Sequence, residues 1–142
     1  MYSTKNIAYI LTSLESIEKI YIYTKDINGP EEFIQANDQL NFNACQALLM
    51  VIGEETKKIE TSLKDKFSEI PWNQIASMRN RITHDYRSLN PEISFDIIEN
   101  YLGDLKDCLT KMVGLISYPR EKLERVVNTD YYKHLKYLLE EE

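Results

Sequence analysis

Apolar residues recur at three- and four-residue intervals through most of the 142-residue chain, and this period restricts the fold more than any other feature. Residues spaced in this way lie on one stripe of a helix, whereas a half-buried strand alternates at every second residue. No segment of the sequence shows that alternation convincingly. The sequence therefore predicts an all-α protein whose helices bury their apolar stripes against one another.

Proline, glycine and asparagine divide this pattern into helical segments. Short connections between long amphipathic helices favour an antiparallel four-helix bundle, here with a C-terminal helix added. We expect residues 1–116 to form the bundle and residues 117–142 to form a C-terminal helical extension packed on the same domain. The first two predicted helices cover about 4–25 and 31–63, and the second is expected to break near Asn37-Asp38 or to loosen at Gly53. The third runs from Trp72 to a stop at 88–91, the fourth from that stop to Ile116, and the last covers about 120–140.

Composition excludes some classes of protein. With 43% hydrophobic and 28% charged residues the chain is neither disordered nor membrane-like, and no apolar run reaches the roughly 18 residues of a membrane span. The first residues lead into an amphipathic pattern unlike a signal peptide, which predicts a cytoplasmic location. Cys45 and Cys108 both lie in apolar helical stretches, so we expect buried free thiols.

Charge is unevenly distributed along the chain. The net charge of −6 argues against a general nucleic-acid coat protein. Residues 57–87 nevertheless hold seven basic against four acidic side chains, a local net charge of +3, and the rest of the chain sums to −9. Such a segment is compatible with a locally positive binding cleft and equally with an ordinary mixed-charge surface.

Only two histidines, His84 and His134, are available for proton transfer near neutral pH. His134 lies between Lys133 and Lys136 in the last helical segment, where a structural role is expected. His84 instead lies close to Arg79 and Tyr86, in the most basic part of the chain.

Three segments, in order, carry a resemblance to a known family. Arg79-x4-His84-x-Tyr86, with Asn80 after the arginine, resembles the Arg-x4-His-x-Tyr signature of HepT, a branch of the HEPN superfamily. Ile52-Gly53-Glu54 and the run from Ile70-Pro71-Trp72 to Met78-Arg79-Asn80 resemble further family segments. The resemblance covers about residues 5 to 115 and does not explain the chain from Ser117 onward.

The resemblance implies the toxin of a type VII HepT/MntA-like toxin–antitoxin system. Such a toxin is a homodimeric, metal-independent endoribonuclease that needs no cofactor and cuts tRNA or mRNA. It implies Arg79 and His84 as catalytic residues and Asn80 as a supporting residue. It also implies that a minimal nucleotidyltransferase (MNT) antitoxin neutralises the toxin by AMPylation of Tyr86.

The residue types fit that chemistry. Metal-free RNA cleavage needs a base for the 2′-hydroxyl proton, an acid for the leaving 5′-oxygen and a cation for the phosphorane. On an ideal helix Arg79 and His84 diverge by roughly 140°, whereas Arg79, Thr83 and Tyr86 share a stripe. Either a distorted turn brings Arg79 and His84 together or a second copy completes the site. The alternative is a non-catalytic HEPN module that binds a nucleotidyltransferase or RNA.

Overall fold

The computed structural model of the chain describes residues 1–84 and 90–140, and every regular element in these residues is helical. This confirms the predicted all-α bundle with a C-terminal helical addition. The elements are α1 (Lys5–Tyr23), α2 (Pro30–Gln35), α3 (Leu40–Lys58), α4 (Thr61–Lys64), α5 (Trp72–His84), α6 (Pro91–Asn100), α7 (Leu102–Leu115) and α8 (Arg120–Val127), with 3-10 helices at Ala36–Gln39, Asp65–Phe67 and Lys133–Leu139.

The core is centred on α1 and α3, which pack along their whole length. The apolar stripe of α1 is completely buried at Ile10, Leu14 and Ile17, as its period predicts. Polar side chains fix the antiparallel register at both ends. Asn6 at the start of α1 accepts from the backbone N–H of Glu60 at 2.9 Å, and Asn41 donates to the carbonyl of Tyr23 at 2.8 Å.

The second predicted helix is broken where the sequence indicated. Asn37 and Asp38 adopt left-handed backbone angles (φ 50° and 57°), which these residue types tolerate better than most. Gly53 does not loosen α3, which passes through it and ends at Lys58. The predicted end near residue 63 is therefore wrong. Lys64 reaches back and donates to the carbonyl oxygens of Thr56 and Lys57 at the α3 terminus.

The fourth predicted helix is in fact two. The backbone leaves helical geometry at Tyr101 (φ −123°, ψ −28°), so that α6 ends and α7 begins in a new direction. Each half then meets a different partner, because α6 packs on α2 and α7 packs on α1. A single straight helix could not bury both of its apolar stripes on these two surfaces.

The last predicted helix is also shorter than expected. α8 ends at Val127, because the side chains of Asn128 and Thr129 donate to the carbonyls of Glu124 and Val126 at 2.7 and 2.6 Å. The following 3-10 helix returns to α1, where Tyr132 shares a 2.9 Å hydrogen bond with Thr12.

Two predictions from composition can be checked directly. Cys45 and Cys108 are free and buried, as predicted, and burial raises the pKa of each thiol to about 12. In the part of the chain that the structure describes, no helix has the length and apolarity that crossing a membrane requires.

Candidate functional site

The helix that carries the motif, α5, rests on α3 at a glycine. A Cβ placed on Gly53 would lie 2.8 Å from the carbonyl oxygen of Ile75 and 3.3 Å from the amide nitrogen of Arg79. Only a residue without a side chain permits this approach of two helix backbones. Thr83, one turn further along α5, lies 3.5 Å from the sulfur of Met50 on α3. Gly53 therefore sets the distance between the α3 and α5 backbones at the position of Arg79.

Arg79 lies at the edge of α5 that faces α3, with 43% of its side chain exposed. Its Nε is 3.9 Å from Oε2 of Glu54, and its Nη1 donates to the side chain of Asn80 over a long 3.5 Å. The contact places Asn80, which the resemblance implied to be a supporting residue, beside the Arg79 guanidinium. Much of the guanidinium's capacity to donate hydrogen bonds faces solvent, where an anion can reach it.

His84 is exposed and is the last described residue of α5. Within the described residues, no hydrogen bond or ion pair joins it to Arg79. At about 100° per residue, Arg79, Thr83, Asn80 and His84 follow one another around the exposed side of α5. The structure thus places Arg79 on the edge near α3 and His84 on the opposite edge, and one chain does not pair them.

The edge of α5 that leads to His84 borders an open groove of about 790 Å³. The buried side chains of Leu102 and Leu105 form its floor, and Tyr101 stands 55% exposed at its side. Within the described residues, α5 packs chiefly on α3. On the α5 side the groove is lined by Gln74, Ser77, Met78 and Arg81, and His84 continues this stripe one turn further.

Tyr86, the residue implied to be modified, lies outside the described residues. Asp85 and the predicted stop at 88–89 lie there too. In the described part of the chain no three His, Cys, Asp or Glu side chains are grouped so that they could hold a metal ion.

Sequence reasoning included Gly53 and Glu54 in a segment that resembles the family and proposed a helix loosening at Gly53, but it gave no role to Glu54. A glycine in the middle of a long amphipathic helix was the available signal, since it indicates close packing when the helix continues through it. Nothing in the linear spacing showed which helix approaches Gly53.

Comparison with models of known protein families shows which family this chain resembles. The family model described as "Ribonuclease HepT-like" matches residues 13–112, which span α1 to α7 and include every motif residue on α5. The chain belongs to the HepT-like ribonuclease family. The HepT-like match ends before α8, so the C-terminal segment lies beyond the region that defines the family.

Named relatives of the HepT-like chain agree with this. "Putative RNase MJ0127" of Methanocaldococcus jannaschii is 31% identical over 101 residues, 70% of this chain and 81% of that protein. "Putative RNase MJ0125" of the same organism is 35% identical over 106 residues, 75% and 89% of the two chains. "Probable ribonuclease HepT" of Thermococcus cleftensis is 29% identical over 104 residues, 73% and 92%. None of the solved structures matches the HepT-like chain significantly.

Proposed function

We propose that this HepT-like chain is a metal-independent endoribonuclease that acts as the toxin of a toxin–antitoxin pair. The observation that carries the proposal is the arrangement of α5, which packs the backbone of Arg79 against α3 and presents His84 to solvent within the matched family region. Family membership supports RNA cleavage as the reaction, and the resemblance at the motif supports its residues.

In the proposed reaction the 2′-hydroxyl oxygen of RNA attacks the adjacent phosphorus and the 5′-oxygen leaves. The products are a 2′,3′-cyclic phosphate end and a 5′-hydroxyl end. Arg79 holds the phosphate through paired N–H groups and stabilises the charge that develops on its oxygens. His84 moves the proton, as base toward the 2′-hydroxyl or as acid toward the leaving oxygen.

A homodimer supplies what one chain lacks. A single His84 cannot be base and acid in the same step, and it lies on the edge of α5 away from Arg79. A second copy related by a two-fold axis brings a second His84 and a second Arg79 to one cleft. The groove beside α5, with the exposed Tyr101 at its side, supports this arrangement because it offers apolar surface next to the His84 edge.

Tyr86 is the proposed point of control by a nucleotidyltransferase antitoxin of the MNT type. The tyrosine hydroxyl attacks the α-phosphorus of ATP and pyrophosphate leaves, so that AMP remains on Tyr86. The added phosphodiester and base would compete with RNA for the cationic site of Arg79. The purified chain should gain about 329 Da per AMP group with the transferase and ATP, and Tyr86→Phe should gain less.

Incubation of the purified protein with total RNA or tRNA in EDTA tests the nuclease assignment. We expect cleavage by the wild type, with cyclic phosphate ends, and loss of cleavage in Arg79→Ala and His84→Ala. Both positions are exposed or half-exposed, so these variants should stay folded, and circular dichroism checks this. His134→Ala is the control histidine and should retain cleavage. If no sample cleaves RNA while a nucleotidyltransferase or RNA still binds, the non-catalytic module is the better interpretation.

A further inference from the structure

Two consecutive residues of α3, Gly53 and Glu54, both contact Arg79 of α5. Gly53 sets the backbone of Arg79, since a Cβ on Gly53 would lie 3.3 Å from the Arg79 nitrogen and 3.4 Å from its Cβ. Glu54 lies beside the guanidinium of Arg79, with its Oε2 at 3.9 Å from Nε. Residues of α3 thus contact Arg79 at both ends, at its backbone and at its guanidinium.

The contact at Nε has a chemical consequence for the rest of the guanidinium. Arginine binds phosphate best with two parallel N–H groups, taken either from the two terminal nitrogens or from Nε and one terminal nitrogen. With Glu54 on the Nε side, the edge formed by the terminal nitrogens is left for an anion. Among the described residues, the terminal nitrogens have one hydrogen bond, the long 3.5 Å contact from Nη1 to Asn80.

Two neighbouring carboxylates of α3, Glu54 and Glu55, have their partners on different helices. Glu55 forms an ion pair with Lys58 at 2.8 Å on its own helix, whereas Glu54 reaches across to α5. The Glu54 side chain is 49% exposed, and an ion pair this exposed contributes little to folding stability. The contact between Glu54 and Arg79 therefore adds little to the stability of the fold. What it specifies is the direction of the Arg79 guanidinium.

We propose that Glu54 is the positioning residue of Arg79, holding the guanidinium from the Nε side so that its terminal nitrogens meet the scissile phosphate. This inference rests on the proposed ribonuclease function. A carboxylate beside a bound phosphate also repels it, so removal of Glu54 has two opposing effects. Binding of RNA tightens through lost repulsion, and turnover falls through lost orientation.

These opposing effects separate the kinetic constants. For Glu54→Ala we expect kcat for RNA cleavage to fall by about tenfold to a hundredfold, since small misplacements of a catalytic group have costs of this order. KM should stay unchanged or decrease. Glu54→Gln, which keeps an oxygen acceptor at the same reach, should recover part of kcat. Glu55→Ala, the adjacent carboxylate with a partner on its own helix, is the matched control and should leave kcat unchanged.

A spectroscopic measurement tests the positioning without any RNA. In the ¹⁵N-labelled protein the Nε–Hε resonance of Arg79, identified by its loss in Arg79→Lys, should have a high heteronuclear NOE typical of an ordered group. The NOE should fall in Glu54→Ala and stay high in Glu55→Ala. Thermal unfolding should be nearly the same for all three proteins.

The outcomes are distinct. Equal Arg79 NOE values in wild type and Glu54→Ala overturn the positioning role, as does a Glu54→Ala protein with tighter RNA binding and an undiminished kcat, in which Glu54 merely neutralises Arg79. A wild type that cleaves no RNA overturns the proposed function instead, and the NOE comparison then still decides whether Glu54 orders Arg79.

Discussion

At the scale of single residues, the site depends on one missing side chain. Gly53 lets the backbones of α3 and α5 meet, and everything that α5 presents to solvent is located by that contact. Side chains on the outer face of α5, such as Asn80 and His84, are exposed and contribute little to this packing. Stability at the site and chemistry at the site are therefore assigned to different residues.

Substitution of Gly53 by alanine should destabilise the protein. The new methyl group would lie 2.8 Å from the backbone oxygen of Ile75, which cannot move without shifting α5. We expect a loss of about 1–3 kcal/mol from overpacking, despite the better helix propensity of alanine. Gly114→Ala in α7, where nothing lies within 4 Å of the added Cβ, should instead be neutral or stabilising by up to about 1 kcal/mol.

Urea denaturation of both alanine variants measures these changes. Equal stability of the two variants would contradict the close approach of α5 to α3.

Glu60 should give part of the stability a dependence on pH. Its carboxylate accepts from the Ser62 hydroxyl at 2.7 Å, the Ser3 N–H at 3.1 Å and the Asn6 amide at 3.0 Å, and these bonds lower its pKa below the ordinary value of 4.5. Because the folded-state pKa is the lower one, the stabilisation is complete above the unfolded pKa and is lost as pH falls through the folded pKa.

The comparison with Glu60→Gln, which cannot ionise, isolates this effect. The difference in free energy of unfolding between wild type and Glu60→Gln should shrink as pH is lowered from about 6 to about 3. A difference that does not change with pH would mean that the Glu60 hydrogen bonds do not favour the ionised form.

At the scale of elements, the C-terminal 3-10 helix is held to α1 by a buried carboxylate. Glu15 has no exposed surface, and it accepts from the backbone N–H of His134 at 3.1 Å and from its ring Nδ1 at 2.5 Å. An ion pair, Lys106 to Glu18 at 2.8 Å, joins α7 to α1 on the next turn. The helical segment outside the family match is thus tied to the first helix of the bundle.

Loss of the His134 ring should loosen this segment. His134→Ala leaves Glu15 buried with one fewer donor, and we expect a loss of about 1–3 kcal/mol, the usual cost of an unsatisfied buried polar group. His84→Ala, on the exposed end of α5, is the control and should unfold like the wild type. Denaturation curves and the rate of proteolysis near residues 128–132 measure the effect; identical curves for the two variants would show that Glu15 does not need the ring.

At the scale of the whole molecule, the described residues leave the bundle open beside the motif helix. The groove between α5 and α7 leaves Met78 half-buried and Tyr101 exposed next to the His84 edge. A monomer would keep this apolar surface in water, and the proposed dimer would cover it while joining two motif helices.

Met78→Glu should separate the proposed dimer and remove RNA cleavage together. A charge at the groove cannot be buried without a partner, so association should fail while the folded monomer persists in water. Leu40→Glu, at a position 64% exposed at the start of α3, is the control and should stay dimeric and active. Sedimentation equilibrium and the RNA assay test this pair of variants. A Met78→Glu protein that is dimeric and fully active would exclude this groove as the interface.

The sequence by itself determined the helical class and the buried stripe of α1, and it gave a break near Asn37 and Asp38 as one of two alternatives, because local period and backbone preference act over a few residues. It also predicted the motif residues, through their resemblance to a family. Only the tertiary structure decided that the fourth helix divides at Tyr101, that His134 binds Glu15, and that Gly53 and Glu54 meet Arg79. These depend on which surfaces face one another across the bundle, and no spacing along one helix contains that information.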